Sequence, residues 1–157
     1  FDRLYTINCS INTLFHEKYY LFSFSALTLF IITLPYAFFN YKIAFVNFAA
    51  LLFNAGCNTY LILFFGSFNK KKITLTKGAM MNYEGTSYVQ FLIFIPVLAV
   101  PFLIFLPFYF FNMPLIGISV IALMGFVGIL LKDPILKFLS DHYIKTKYKI
   151  LNGFRVG

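Results

Sequence analysis

Three asparagines are the polar side chains of this chain best placed to do chemistry, and that chemistry is hydrogen bonding. Asn47, Asn54 and Asn58 lie in a stretch dominated by apolar residues. On a helix they would fall within about 40° of one another. Because an amide facing lipid is costly, this stripe should face other helices or a wet cavity. It is therefore predicted either to form interhelical hydrogen bonds or to line a translocation path.

The next apolar stretch carries three prolines, Pro96, Pro101 and Pro107. Each proline removes a backbone donor and tends to kink a helix. Such kinks can form hinges or shape cavities. Prolines are also tolerated in membrane helices because neighbouring groups re-pair the backbone. The sequence leaves both interpretations open.

A polar and basic segment separates these two stretches. One interpretation is that its charges set the topology and touch anionic headgroups. The other is that it docks a cytoplasmic partner. The residues proposed for docking are Lys70, Lys71, Lys72, Lys77 and Glu84.

Neither catalysis nor metal binding is indicated. His16 and His142 are far apart, and Cys9 and Cys57 form no CxxC pair. The sequence contains no GxxxxGK[ST], HExxH or GxSxG motif. We therefore expect no enzyme activity, no metal, no cofactor and no nucleic-acid partner.

Composition indicates that the surroundings of these residues are membrane. The chain has 157 residues, of which 61% are hydrophobic and only 11% are charged. A soluble domain would carry roughly 25% charged residues. One soluble core could not bury so much apolar surface, so most of it should face lipid or other spanning helices. Because the chain begins at Phe1, we expect it to be the end of a longer polypeptide.

Four stretches approach the length of about 20 apolar residues that crosses a bilayer as a helix. They predict a single, all-α, polytopic transmembrane domain over residues 1–157. The predicted spans are residues 21–39, 43–68, 89–111 and 114–131. A helix over 4–18 is expected to lie along the membrane and lead into the first span. Asp133 and Pro134 suggest an N-cap and first turn for a basic cytoplasmic helix over 134–149.

The basic residues set the expected orientation. With four spans, 12 of the 13 lysines and arginines fall on one side of the membrane, and only Lys42 falls on the other. The positive-inside rule then places both ends of the chain in the cytoplasm. None of the four stretches contains an ionisable acidic or basic residue, which disfavours a proton-driven transporter.

Several short segments resemble a family of bacterial multi-spanning proteins of uncharacterised function. The matching segments are residues 65–71, 77–78, 82–86 and 90–91, the opening Phe1-Asp2, and the ending over 147–155. That family in turn resembles permease subunits of ABC-2-type exporters. The resemblance implies a bacterial cytoplasmic membrane, a homodimer and a separate ATP-binding subunit. It implies no site residues.

The expected function is thus the transmembrane subunit of an ATP-driven exporter for a hydrophobic or amphipathic substrate, in contact with membrane lipid. The segment 69–88 and the helix over 4–18 would transmit movement from the ATP-binding subunit. A non-transporting membrane scaffold or assembly factor is the alternative. A membrane enzyme acting on lipids would need catalytic groups that this sequence does not contain.

Overall fold

The computed structural model describes residues 10–66 and 88–156, with side chains for 10–66 and 93–145. Throughout these ranges the elements are helices joined by short turns, with no strand. The prediction of an all-α bundle is confirmed. The predicted docking segment Lys70, Lys71, Lys72, Lys77 and Glu84 lies outside the described residues.

Six α-helices form the described part of the chain. They are α1 (Ile11–Thr33), α2 (Tyr41–Phe53), α3 (Thr59–Gly66), α4 (Tyr88–Phe110), α5 (Pro114–Leu130) and α6 (Lys132–Val156). A 3₁₀ segment, Leu34–Phe38, extends α1, and a π-helical turn, Asn54–Asn58, joins α2 to α3. The element bounds lie close to the predicted spans at most ends.

Two tight turns lie in the short gaps between predicted spans, one at Asn40 and the other at Asn112. Asn40 caps α2 by accepting a hydrogen bond from the Lys42 backbone N–H at 2.9 Å. Asn112 joins α4 to α5 with a φ of 57°, in the left-handed region that asparagine tolerates. Pro114 then begins α5, where its missing N–H costs no helical hydrogen bond.

Three helices are long and apolar enough to cross a membrane: Ile11–Phe38, Tyr41–Gly66 and Ile93–Phe110. Helices α5 and α6 qualify only together, as a pair bent by 69°, which would bring the number to four. Of the three apolar segments, only that of Tyr41–Gly66 is substantially buried within the chain, at 44%. The helix with the asparagines is therefore the central one.

The segment before the first span differs from its prediction. Residues 11–18 continue without a break into the span and form the first turns of α1. Ser10 caps that helix, its Oγ accepting from the Thr13 backbone N–H at 3.1 Å. Nothing between Lys18 and Leu21 breaks a helix, so the predicted separation of the helix over 4–18 from the first span is wrong for residues 11–18. Residues 4–9 lie outside the described part.

The last helix also begins earlier than predicted. Helix α6 starts at Lys132, so Asp133 and Pro134 lie within its first turn and Asp133 is not the N-cap. Leu131 terminates α5, and its carbonyl accepts from the Ile135 backbone N–H at 3.1 Å. The two helices therefore follow each other through a sharp bend with no intervening loop.

An apolar cluster joins both ends of the described chain to the central helix. It consists of Phe15 and Tyr19 on α1, Tyr60 and Leu63 on α3, and Leu136 and Leu139 on α6. Lys18 and Lys132 lie at this end of the bundle, whereas Lys42 lies at the α1–α2 turn, at the other end.

Candidate functional site

The π-helical turn Asn54–Asn58 determines how the central helix presents its side chains. The Thr59 backbone N–H reaches the Asn54 carbonyl five residues back, and Thr59 Oγ1 donates to the same oxygen at 2.9 Å. Such single-turn π segments are rare and recur at functional sites. The extra residue in this turn shifts the register of α3 relative to α2.

One face of this turn packs against α5 with almost no side chain between the backbones. A Cβ on Gly56 would overlap the Gly125 carbonyl, and a Cβ on Gly128 would overlap the Gly56 carbonyl. The buried Tyr60 hydroxyl donates to the Gly128 carbonyl at 2.9 Å. We call this contact of Gly56 and Tyr60 with Gly125 and Gly128 the glycine seam. Small residues are common where membrane helices approach closely.

The neighbouring face of the central helix opens on a cavity of about 530 Å³ between α2, α4 and α5. This volume lies within the range of small-molecule sites, roughly 300–1,000 Å³. The walls are mainly aliphatic and aromatic. The lining residues are Val46, Ala49, Ala50, Phe53, Asn54, Asn58, Val97, Leu98, Pro101, Phe102, Phe105, Ile118 and Ile121.

Two amides provide the polar part of this cavity. Asn58 is buried, with 6% of its surface exposed, and its Nδ2 donates to Asn54 Oδ1 at 2.7 Å. Asn58 Oδ1 is buried and has no hydrogen-bond partner in the described part of the chain. Asn54 is exposed at the cavity. A half-satisfied buried amide is costly, so this pair is a place where a polar group of a ligand would be stabilised.

The predicted stripe of three asparagines is divided in the structure. Asn54 and Asn58 line the cavity, but Asn47 does not. The Asn47 Nδ2 instead donates to the Thr33 carbonyl at 3.3 Å, where α1 ends. That bond is the interhelical hydrogen bonding that the sequence offered as one interpretation of the stripe.

The predicted proline hinge is also divided. Helix α4 continues through Pro96, Pro101 and Pro107. Only Pro101 lines the cavity. Whether any of the three acts as a hinge stays a prediction.

Gly56, Tyr60 and most of the apolar lining were not predicted from the sequence. Gly56 lies between two of the asparagines, and a glycine inside a predicted span was the available signal for close helix contact. The lining on α4 and α5 had no comparable signal because Phe102 and Phe105 are two of 23 phenylalanines. No group of three His, Cys, Asp or Glu residues that could hold a metal lies within the described ranges.

A polar contact marks the bend between α5 and α6. Lys132 Nζ donates to the Tyr20 hydroxyl at 3.1 Å and lies 5.3 Å from the centre of its ring. This hydrogen bond raises the pKa of Lys132, which is half-exposed just beyond α5. Lys132 thus stays charged where the chain leaves the apolar bundle.

These features define a class: an all-α protein with membrane-length apolar helices and a cavity built around the central helix. The chain belongs to a family of unknown function (DUF5687), whose model matches residues 1–156. The resemblance to an uncharacterised family is therefore confirmed, but the match provides no link to exporter permeases. The search of curated proteins and the search of solved structures each found no match.

Proposed function

We propose that this chain is the transmembrane, permease-like subunit of an ATP-driven exporter that passes a hydrophobic or amphipathic substrate. The observation that supports this most is the cavity between α2, α4 and α5. It has apolar walls and contains a hydrogen-bonded amide pair, the buried Asn58 and the exposed Asn54. Small-molecule sites commonly combine mostly apolar walls with a few placed polar groups.

The apolar cluster at the other side of the central helix supplies a mechanical link for this proposal. Leu136 is fully buried among Phe15 and Tyr19 of α1 and Tyr60 of α3. Tyr60 also bonds α5 through Gly128. A displacement of α6 would therefore act on α1, α3 and α5 together. Packed elements of this kind transmit movement because they resist continuous deformation.

The proposal places the protein in the bacterial cytoplasmic membrane, with both ends of the chain in the cytoplasm. Lys18 and Lys132 lie at the opposite end of the bundle from Lys42, and this supports placing both ends of the chain on one side of the membrane. A homodimer would use a surface other than the glycine seam, because Gly125 and Gly128 pack within the chain. Much of α1 and α4 remains available, since the apolar segments of both helices are unburied.

Co-purification tests the proposal. The full protein, solubilised from the membranes of its host, should bring down an ATP-binding subunit with measurable ATP hydrolysis. Replacing Lys70, Lys71, Lys72 and Lys77 together by Glu should remove that subunit, because the replacement reverses the charge of the predicted docking segment. The matched control replaces the same four residues by Arg, which keeps the charge and should keep the subunit.

Two results would contradict parts of this proposal. Retention of the ATP-binding subunit by the Glu variant would exclude the basic segment as the docking surface. Absence of any ATPase from the wild-type preparation, together with stable complexes with other membrane proteins, would favour the scaffold or assembly factor instead.

A further inference from the structure

We infer that the cavity binds a neutral amphiphile whose hydroxyl or amide head group lies at Asn54 and Asn58 and whose hydrocarbon body lies along α4 and α5. This inference rests on the proposed function and names the chemical class of its substrate. It follows from three properties of the cavity as its described residues form it: apolar walls, an amide oxygen without a partner, and no ionisable acidic or basic side chain.

The walls match a hydrocarbon body. Phe102 and Phe105 of α4 and Ile118 and Ile121 of α5 line one side, and residues of α2 line the other. Such walls offer dispersion contacts but no polar partner. A sugar or a peptide with many polar groups would lose its hydrogen bonds to water here without replacement. The occupant must therefore be apolar over most of its length.

The amide pair matches a single polar head. Asn58 Oδ1 is buried without a partner, and Asn58 Nδ2 is already bonded to Asn54 Oδ1. No hydrogen bond to Asn54 Nδ2 is formed within the described residues, and Asn54 is exposed at the cavity. A hydroxyl or an amide both donates and accepts, so either group can pair with an asparagine side chain. A pure hydrocarbon would leave these groups unpaired.

The lining also selects against charge. Among the described residues that line it, the polar members are the two asparagines and none is Asp, Glu, Lys, Arg or His. An ionised head group in such surroundings would lose its hydration without gaining a counter-charge. Fatty acids and quaternary amines should therefore bind less well than a neutral alcohol of the same length.

Photo-crosslinking of the full protein in lipid nanodiscs tests this inference. The probe is a long-chain alcohol with a diazirine in its chain, and the comparison probe is its methyl ether, which cannot donate a hydrogen bond. We expect the alcohol to label peptides of α2, α4 and α5 at least tenfold more than the ether. The double variant Asn54→Leu/Asn58→Leu should reduce labelling by the alcohol to that of the ether.

Two further variants make the result specific. Asn47→Leu removes an amide from the same helix but outside the cavity, so the alcohol probe should label this variant as strongly as it labels the wild type. Ala50→Trp fills the cavity while keeping both asparagines and should abolish labelling by both probes. Elution of each variant as a monodisperse peak shows that it is folded.

Three outcomes would overturn the inference. The first is equal labelling by the alcohol and the ether, and the second is full labelling of the double variant. The third is no labelling of the cavity peptides, which is expected if another helix or water alone fills the cavity. Labelling of the cavity in a preparation that contains no ATPase partner would support the binding site but contradict the proposed exporter function. Co-purification of an ATPase partner without labelling of the cavity would support the exporter function but contradict the proposed binding site.

Discussion

Two adjoining faces of the central helix use its short polar segment in opposite ways. Towards α5, Gly56 brings backbone against backbone at the glycine seam. Towards α4, Asn54 and Asn58 border a cavity of about 530 Å³. The same π-helical turn contains all three residues.

Together the glycine seam and the cavity show how an apolar bundle can be both rigid and open. Lipid does not drive apolar helices together as water does, so close packing and interhelical hydrogen bonds must hold them. The glycine seam supplies such contacts and thereby fixes α2 against α5. A cavity can then persist beside it. Substitutions in the glycine seam should therefore lower the stability of the protein strongly, whereas substitutions at the cavity should lower it much less.

The largest effect is expected at the seam. Gly125→Leu would place a side chain into the backbone of Leu52 and Phe53, and helix α5 would have to move away. We expect a loss of about 3 kcal/mol or more in the free energy of unfolding, the upper range for overpacking. Thermal unfolding of the purified protein in detergent would show a lowered midpoint.

A second glycine offers the matched control for that variant. Gly66 ends α3, and a Cβ there would meet nothing within 4 Å. The free energy of unfolding of Gly66→Ala should therefore lie within about 0.5 kcal/mol of the wild-type value, as is usual for surface substitutions. Equal unfolding midpoints for Gly125→Leu and Gly66→Ala would mean that the seam does not exist in the membrane protein.

An intermediate effect is expected from one hydrogen bond of the seam. Tyr60→Phe removes the donor to the buried Gly128 carbonyl while keeping the ring. We expect a loss of about 1 kcal/mol in unfolding free energy, since a buried acceptor is left unpaired. Tyr20→Phe removes a comparable hydroxyl at an exposed site and should cost less, so a larger loss in Tyr20→Phe would contradict the assignment.

The smallest effect is expected at the cavity. The double variant Asn54→Leu/Asn58→Leu replaces both partners of one hydrogen bond by apolar side chains of similar size. Because no amide is then left unpaired, the unfolding free energy should stay within about 0.5 kcal/mol of the wild type. Asn54→Leu alone leaves the buried Asn58 amide without a partner and should be less stable than the double variant. The reverse order would contradict the described pairing.

Much of the fold could be predicted because length and hydropathy determine which segments can cross a bilayer. Asn40 and Asn112 were recognisable as turns for the same reason, since each separates two apolar stretches. The error at residues 11–18 has a physical cause. The helical spacing of mostly apolar residues over 4–18 suggested a separate surface helix. Phe15 and Tyr19 instead pack on α3 and α6, and residues 11–18 form the first turns of α1.

The site was less predictable from the sequence. Ideal helical geometry put Asn47, Asn54 and Asn58 on one face, but the π-helical turn alters the helical register over Asn54–Asn58. The location of Asn47 near the end of α1 also decides its partner, the Thr33 carbonyl. Neither the turn nor the packing of α4 and α5 against the asparagines follows from hydropathy, because both depend on tertiary contacts.

The most direct test of the account is ATP hydrolysis by the co-purified complex in nanodiscs, with and without the long-chain alcohol. The alcohol should stimulate hydrolysis in the wild type and in Phe48→Trp, whose side chain lies outside the cavity lining. It should not stimulate hydrolysis in Ala50→Trp, because the indole occupies the substrate's place. Wild-type stimulation in Ala50→Trp would contradict the claim that the substrate binds in the cavity.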